Sequence, residues 1–176
     1  MARSKKTRKL ISDALSINAS KERLGLGVDL IEIKRFKKIC QRTKSFTNKV
    51  FSKDEIAYCS KKSDPLIHLA ARFAAKEAVL KSMKVGFTNG VGYKDVEVKN
   101  DDNGAPYVCL YGNAKEIAES LEIVEIPISL SHTENDAVCC AIAITKKSIE
   151  EKNRSKNALD ELTKQFKSLR LDLDEI

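Results

Sequence analysis

No stretch of this chain holds the roughly 18 consecutive apolar residues that a membrane-spanning helix needs, and its first residues lack the apolar core of a secretory signal. A cytoplasmic location is the expectation. Cysteine occurs five times, an odd number with no CxxC spacing, which argues against both a disulfide framework and a structural zinc site. Cys139 and Cys140 lie in an apolar run, where free thiols pack as small hydrophobes. Aromatic residues make up only 6% of the chain and form no RNA-binding motif, so nucleic acid is not the expected partner. The sequence has no GxxxxGK followed by Ser or Thr, and the glycines of VGFTNGVGYKD are too irregular for a dinucleotide fingerprint. No nucleophile elbow surrounds Ser129 or Ser131, which removes a serine hydrolase despite the adjacent His132.

What is present suits one compact domain with terminal appendages: 176 residues, 42% of them hydrophobic. The net charge of +7 is unevenly placed. Residues 1–24 carry seven Lys or Arg against two acids, and Lys34 to Lys62 carries ten against Asp54 and Glu55 alone. One face of the domain is therefore strongly basic, and it suits an acidic surface or a polyphosphate as well as plain solvent.

The chain is organised around Leu66–Lys84, LIHLAARFAAKEAVLKSMK, which reads as a long helix opened by Asp64-Pro65 and closed near Gly86. At 100° per residue, Glu77 shares a stripe with Leu66, Ala70 and Phe73. A carboxylate that close to an apolar face needs a partner. Lys81, four residues on, is one candidate, as an ordinary helix pair; a metal ion is another.

Taken in order, residues 1–23 form a basic N-terminal extension with a weak amphipathic pattern, open to reading as a targeting segment or a solvated arm. Leu24–Ile33 reads as an apolar strand in which Asp29 is a misfit of the kind functional sites produce. Lys34–Thr43 reads as a short helix with a cationic outer face, and Ser52 with Glu55 forms a capping box for a second. Asp95–Lys99 and Pro106–Tyr111 read as a hairpin across Asp101-Asp102-Asn103-Gly104. A helix capped by Asn113 and running through Leu121 and strands at Ile126–Ser131 and Ala137–Thr145 complete residues 24–146, an α+β domain. Residues 147–176 carry Leu159, Leu162, Phe166, Leu169, Leu173 and Ile176 at heptad-like spacing, a C-terminal helical extension.

Asp29, Glu77, Lys81 and His132 are the groups that carry chemistry. Two carboxylates without a Cys or His cluster suit a hard cation, and Mg2+ typically takes one or two protein carboxylates together with phosphate oxygens and water. A lysine beside such a metal completes a charge clamp for a diphosphate, and phosphoryl-type transfer depends on that positioning. His132 alone is more often structural than catalytic.

Three separated segments, GLGVDLIEIKR at Gly25–Arg35, ARFAAKEAVLK at Ala71–Lys81 and ISLSHT at Ile128–Thr133, resemble the holo-(acyl carrier protein) synthase family of 4'-phosphopantetheinyl transferases. The resemblance spans residues 24–146 and implies an antiparallel sheet packed on a long central helix. It implies transfer of phosphopantetheine from coenzyme A to a serine of apo acyl carrier protein, in support of fatty acid biosynthesis and lipid metabolism, with release of 3',5'-ADP. It maps Asp29 and Glu77 to the Mg2+ ligands, Lys81 to the lysine that holds the phosphates, and His132 to the histidine near the nucleotide. Glu77, Lys81 and His132 are then the catalytic candidates, with Arg72 and Lys76 as phosphate or subunit contacts. Arg35 corresponds to the arginine that meets the carrier, and Lys34, Lys37 and Lys38 add steering charge toward an acidic partner. A homotrimer with sites between subunits is the expected assembly. One departure is Ala105 in Asn103-Gly104-Ala105-Pro106, where many members read NGKP. A carrier-binding subunit that has lost catalysis and a basic nucleic-acid-binding module are the alternatives. Retained Asp29, Glu77 and Lys81 argue against the first.

Overall fold

The computed structural model describes residues 25–87 and 90–154. The basic N-terminal extension and the heptad-like residues from Leu159 onward lie outside the described residues. Leu24–Thr145 is one compact unit, and residues 146–154, in the other, are helical.

The compact unit has the expected α+β architecture. Strand β1 (Gly25–Glu32) leads into helices α1 (Ile33–Arg42), α2 (Phe46–Val50) and α3 (Lys53–Ser60), then the long helix α4 (Pro65–Ser82). A hairpin of β2 (Val96–Asn100) and β3 (Pro106–Leu110) follows, then α5 (Gly112–Ser120), β4 (Ile123–Glu125), β5 (Ile128–His132) and β6 (Asp136–Thr145). β6 is the spine of an antiparallel sheet. β1 runs beside it from Gly25 opposite Ala143 to Glu32 opposite Asp136, β5 pairs with it from Ile128 opposite Ala141 to His132 opposite Ala137, and β4 pairs near its end.

Why α4 lies so close to this sheet is legible in small side chains. Strand alternation turns Gly25, Gly27, Asp29 and Ile31 to one face, and their β6 partners Ala143, Ala141, Cys139 and Ala137 are all buried. The helix answers with Ala70, Ala71, Ala74, Ala75 and Ala78, also buried. A methyl group built on Gly25 would fall 1.7 Å from the carbonyl oxygen of Ser82, and one on Gly27 1.9 Å from that of Ala78. Helix backbone thus rests directly on strand backbone. The opposite face of β1 carries Leu26, Val28 and Leu30, which are 61%, 47% and 61% exposed.

The start of α4 matches expectation: the Asp64 carboxylate accepts a hydrogen bond from the Leu66 amide at 3.2 Å, and Pro65 takes the first helical position. Its end does not. The helix stops at Ser82, and Lys84 rather than Gly86 takes the left-handed conformation, at φ 58°. The Lys84 amide donates to Lys81 O and the Val85 amide to Leu80 O, each at 3.0 Å, which closes the helix by a Schellman motif. Packing of Val85 against the core that contains Leu80 outweighs the preference for glycine at that position.

The capping box at Ser52 is present in full. The Glu55 amide donates to Ser52 Oγ at 3.1 Å and the Ser52 amide to Glu55 Oε2 at 2.9 Å. At α5 the cap is Tyr111, two residues earlier than read, and the Asn113 side-chain amide donates to Gly90 O at 3.0 Å instead of capping.

Gly27→Ala should cost about 3 kcal/mol, the upper end of overpacking penalties, since the obstruction is helix backbone rather than a movable side chain. Gly92→Ala is the matched control, as its nearest atom is 3.7 Å from the added methyl. Thermal unfolding of both variants checks this, and equal melting temperatures would refute the backbone contact.

Candidate active site

Because Asp29 is the next residue along the glycine face of β1, it points at the helix that carries Glu77 and Lys81. Lys81 Nζ donates to Asp29 Oδ1 at 2.6 Å and to the Val28 carbonyl at 3.3 Å. The lysine therefore turns across to the strand, and the expected i, i+4 pair with Glu77 gives way to an inter-element one. Asp29's side chain is 13% exposed, Lys81's 49%.

Two observations mark the carboxylate pair as short of positive charge. Asp29 Oδ2 is buried and has no hydrogen-bond partner. Glu77's carboxyl is pushed above its ordinary value by burial and then by the charge of Asp29, against the opposing pull of Lys81. Glu77's charge in turn helps raise the Tyr93 phenol, after burial. Tyr93 closes an aromatic wall beside the site, stacked on Phe73 at 5.8 Å and 3.9 Å from Phe87. A hard cation fits this oxygen-only pair, with the orphaned Oδ2 as its natural ligand; Asp29 and Glu77 would hold it, leaving further positions for phosphate and water. No group of three or more potential metal ligands clusters among the described residues.

The other expected residues separate. His132, the last residue of β5, meets His68 of α4 edge to face, with ring centroids 5.1 Å apart. His68 was not singled out in the sequence; its one signal was its place a helical turn before Arg72. Arg72 is 4% exposed, donates to Asn100 Oδ1 at 2.7 Å and lies over the Tyr58 ring at 4.3 Å. Its Nε is buried without a partner, and it lines a hollow of about 200 Å3 with Asp54, Tyr58 and Asn100.

Lys76 requires a correction. It is fully buried, and its ammonium donates to Glu55 Oε2 at 2.9 Å, to Tyr93 O at 3.0 Å and to Val96 O. Three acceptors saturate an ammonium group, so Lys76 holds the fold together instead of contacting phosphate. On α1, Lys34, Arg35 and Lys38 are exposed as expected, while Lys37 is tied to Asp64 at 2.5 Å. Arg35 borders an apolar hollow of about 390 Å3 formed with Leu30, Phe36, Ile39, Phe46 and Phe73.

Residues 25–143 match the model of the 4'-phosphopantetheinyl transferase superfamily. The chain belongs to this family. Among relatives within the superfamily, a holo-[acyl-carrier-protein] synthase of Syntrophus aciditrophicus is 49% identical over 114 residues, covering 64% of this chain and 89% of that protein. The fold agrees too. The acyl carrier protein synthase of Plasmodium yoelii with ADP bound superposes with a TM-score of 0.63 at 34% identity, over 71% of this chain and 99% of that one. The Helicobacter pylori holo-[acyl-carrier-protein] synthase in complex with coenzyme A does so with a TM-score of 0.60 at 28% identity, over 68% and 99%.

A group raised as Glu77 is contributes stability in its protonated form, present below the ordinary carboxylate range and lost as pH rises through its raised value. Above that value the ionised pair repels, and a cation relieves it. Mg2+ should therefore raise the melting temperature by about 2–4 °C at pH 7.5, the shift of roughly 1 kcal/mol in a domain of this size, and by less at pH 5.5. Glu77→Gln should abolish the Mg2+ shift while melting no lower than the parent without metal. A Mg2+ shift that survives in Glu77→Gln would remove Glu77 from the metal site.

Proposed function

We propose that this chain transfers the 4'-phosphopantetheine arm of coenzyme A to a serine hydroxyl of apo acyl carrier protein, giving holo acyl carrier protein and 3',5'-ADP. The single observation that carries the reading is the buried, orphaned Oδ2 of Asp29 beside Glu77 and Lys81, in a chain whose relatives are named holo-[acyl-carrier-protein] synthases. Mg2+ bound by Asp29 and Glu77 would supply charge neutralisation at the diphosphate. The serine hydroxyl proton passes to Glu77 or to a water ordered beside it. The serine oxygen bonds to the phosphorus that bears pantetheine, the bond from that phosphorus to the bridging oxygen breaks, and 3',5'-ADP leaves with the electron pair. Lys81, anchored by Asp29, meets the charge that develops on the leaving phosphate.

The carrier docks on α1. Lys34, Arg35 and Lys38 present positive charge to an acidic helical bundle, and the adjoining apolar hollow gives it a place to bury side chains beside Phe73, one helical turn from Glu77. The exposed face of β1, with Leu26, Val28 and Leu30, continues onto Ile142 of β6, which is 37% exposed. Such an apolar sheet face supports association into a homotrimer. No described helix is long and apolar enough to cross a membrane. The proposed setting is the cytoplasm, in support of fatty acid biosynthesis, with residues 24–146 as the transferase domain between extensions at 1–23 and 147–176.

Apo acyl carrier protein incubated with this protein, coenzyme A and Mg2+ should gain the mass of phosphopantetheine, and EDTA or Asp29→Ala should prevent the gain. Carrier binding without turnover and without need of Mg2+ would instead establish an inactive subunit. In the same assay Arg35→Glu should raise KM for the carrier at least tenfold while leaving coenzyme A binding within about twofold; equal losses on both would refute the docking assignment.

A further inference from the structure

A run of aromatic rings leads from the apolar hollow beside Arg35 past the carboxylates. Phe36 and Phe46 line the hollow and meet Phe73 with ring centroids 5.8 and 6.0 Å away. Phe73 continues the run to Tyr93, and Tyr93 to Phe87. Because Phe73 is four residues before Glu77 on α4, the wall passes the foot of that carboxylate. Tyr93 alone in this wall carries a polar atom. Its hydroxyl has no hydrogen-bond partner among the described residues, and neither has the Glu77 carboxylate. Tyr111 is the contrast, since its hydroxyl donates to Glu97 Oε2 at 2.9 Å. Tyr93 is half-buried, an environment in which a phenol ordinarily finds a partner. Burial and then the charge of Glu77 keep the phenol protonated, so it is a donor.

The hydroxyl is held in place from both ends of its residue. Tyr93 opens a single 3-10 turn, Tyr93–Asp95, and its carbonyl accepts from the Lys76 ammonium at 3.0 Å. The Asp95 amide returns to Gly92 O at 3.0 Å, the Gly92 amide donates to the Asp95 carboxylate at 2.9 Å, and the Tyr111 amide donates to Asp95 O at 2.8 Å. The ring lies between Phe73, at an interplanar angle of 27°, and Phe87, 3.9 Å away. A donor ordered in advance surrenders little freedom when a ligand meets it.

With the diphosphate of coenzyme A at Asp29, Glu77 and Lys81, the part of the molecule next to it on the transferred side is the pantoyl unit. That unit carries two methyl groups on one carbon, a hydroxyl on the next and an amide carbonyl beyond. An apolar wall with one donor matches this order of groups. Resting on the transferase reading, we propose that Tyr93 is a specificity-determining residue for the transferred arm, its hydroxyl donating to an oxygen of the pantoyl unit while the neighbouring rings pack on the methyl groups. The contact concerns the half of coenzyme A that moves to the carrier and leaves the departing 3',5'-ADP untouched. Such a contact is made before and during transfer alike, so it acts on KM and not on kcat.

Calorimetric titration of the full chain with coenzyme A and with 3',5'-ADP, in the presence of Mg2+, tests this on the parent and on Tyr93→Phe, which keeps the ring and removes only the hydroxyl. Tyr93→Phe should bind coenzyme A about fivefold more weakly, the worth of one neutral hydrogen bond, and 3',5'-ADP within about twofold of the parent. In the carrier assay the same variant should raise KM for coenzyme A by about fivefold at unchanged kcat. Tyr93→Leu, which also removes the ring, should lose more affinity for coenzyme A than Tyr93→Phe, again with 3',5'-ADP binding retained. Coenzyme A affinity and KM in Tyr93→Phe that match the parent would overturn the proposal. Equal losses on both ligands, or a fall confined to kcat, would overturn it as well, since either would make Tyr93 a support for the carboxylate site instead of a contact for the arm. Absence of coenzyme A binding to the parent protein would overturn the transferase reading and this inference with it, a result distinguishable from a failure confined to Tyr93.

Discussion

The buried ion pair of Lys76 and Glu55 is the constraint on which the rest of this fold depends. Both side chains are almost wholly removed from water, at 0% and 1% exposure, and each is saturated. Lys76 has three acceptors. Glu55 Oε2 also accepts from the Ser52 amide, and its Oε1 from the Val98 amide at 3.1 Å. Four segments meet there: α3, α4, β2 and the turn at Tyr93. A buried pair adds little net stability over an apolar one, but removing one partner strands the other, typically at about 3–5 kcal/mol. Its value is geometric. Lys76 immediately precedes Glu77, so a lysine pinned into the core fixes the rotation of α4 about its axis, and with it the direction in which the Glu77 carboxylate leaves the helix.

A second fixed point is the glycine face of β1. Lys76 sets the rotation of the helix; Gly25 and Gly27 set its height above the sheet. Asp29 lies two residues beyond Gly27 on the same face, so the distance between the two carboxylate-bearing elements follows from the absence of side chains upstream. The carboxylates repel one another, and the fold holds them together because the surrounding apolar packing and the Lys76 network oppose that repulsion. Local features at odds with stability are expected where they serve chemistry.

Much of this was legible in the sequence, for identifiable reasons. The capping box at Ser52, the hairpin across Asp101 to Gly104 and the start of α4 at Asp64-Pro65 are local signals, decided within a few residues, and the structure has all three. Asp29 was legible because an acid in an apolar strand conflicts with its surroundings. What stayed hidden depends on contacts between distant segments. Helix α2 has five residues and strand β4 three, too few to show a period. The end of α4 was set by where Val85 packs, not by the nearest glycine. Lys76 and Lys81 carry the same charge on the same helix, and only the elements facing them determine that one is sealed in the core and the other reaches Asp29. His68 stood out only by its place a turn before Arg72, because its partner lies on β5.

The direct seating of α4 on β1 has a consequence for the entropy of catalysis. Two elements in backbone contact have few independent motions, so Asp29, Glu77 and Lys81 move as parts of one body. Conformational freedom that a looser site would surrender each time substrate arrives is surrendered here once, when the chain folds. Binding energy from coenzyme A and the carrier is then left for orienting the two reactants toward one another, which is the part of the reaction that no single chain can arrange in advance.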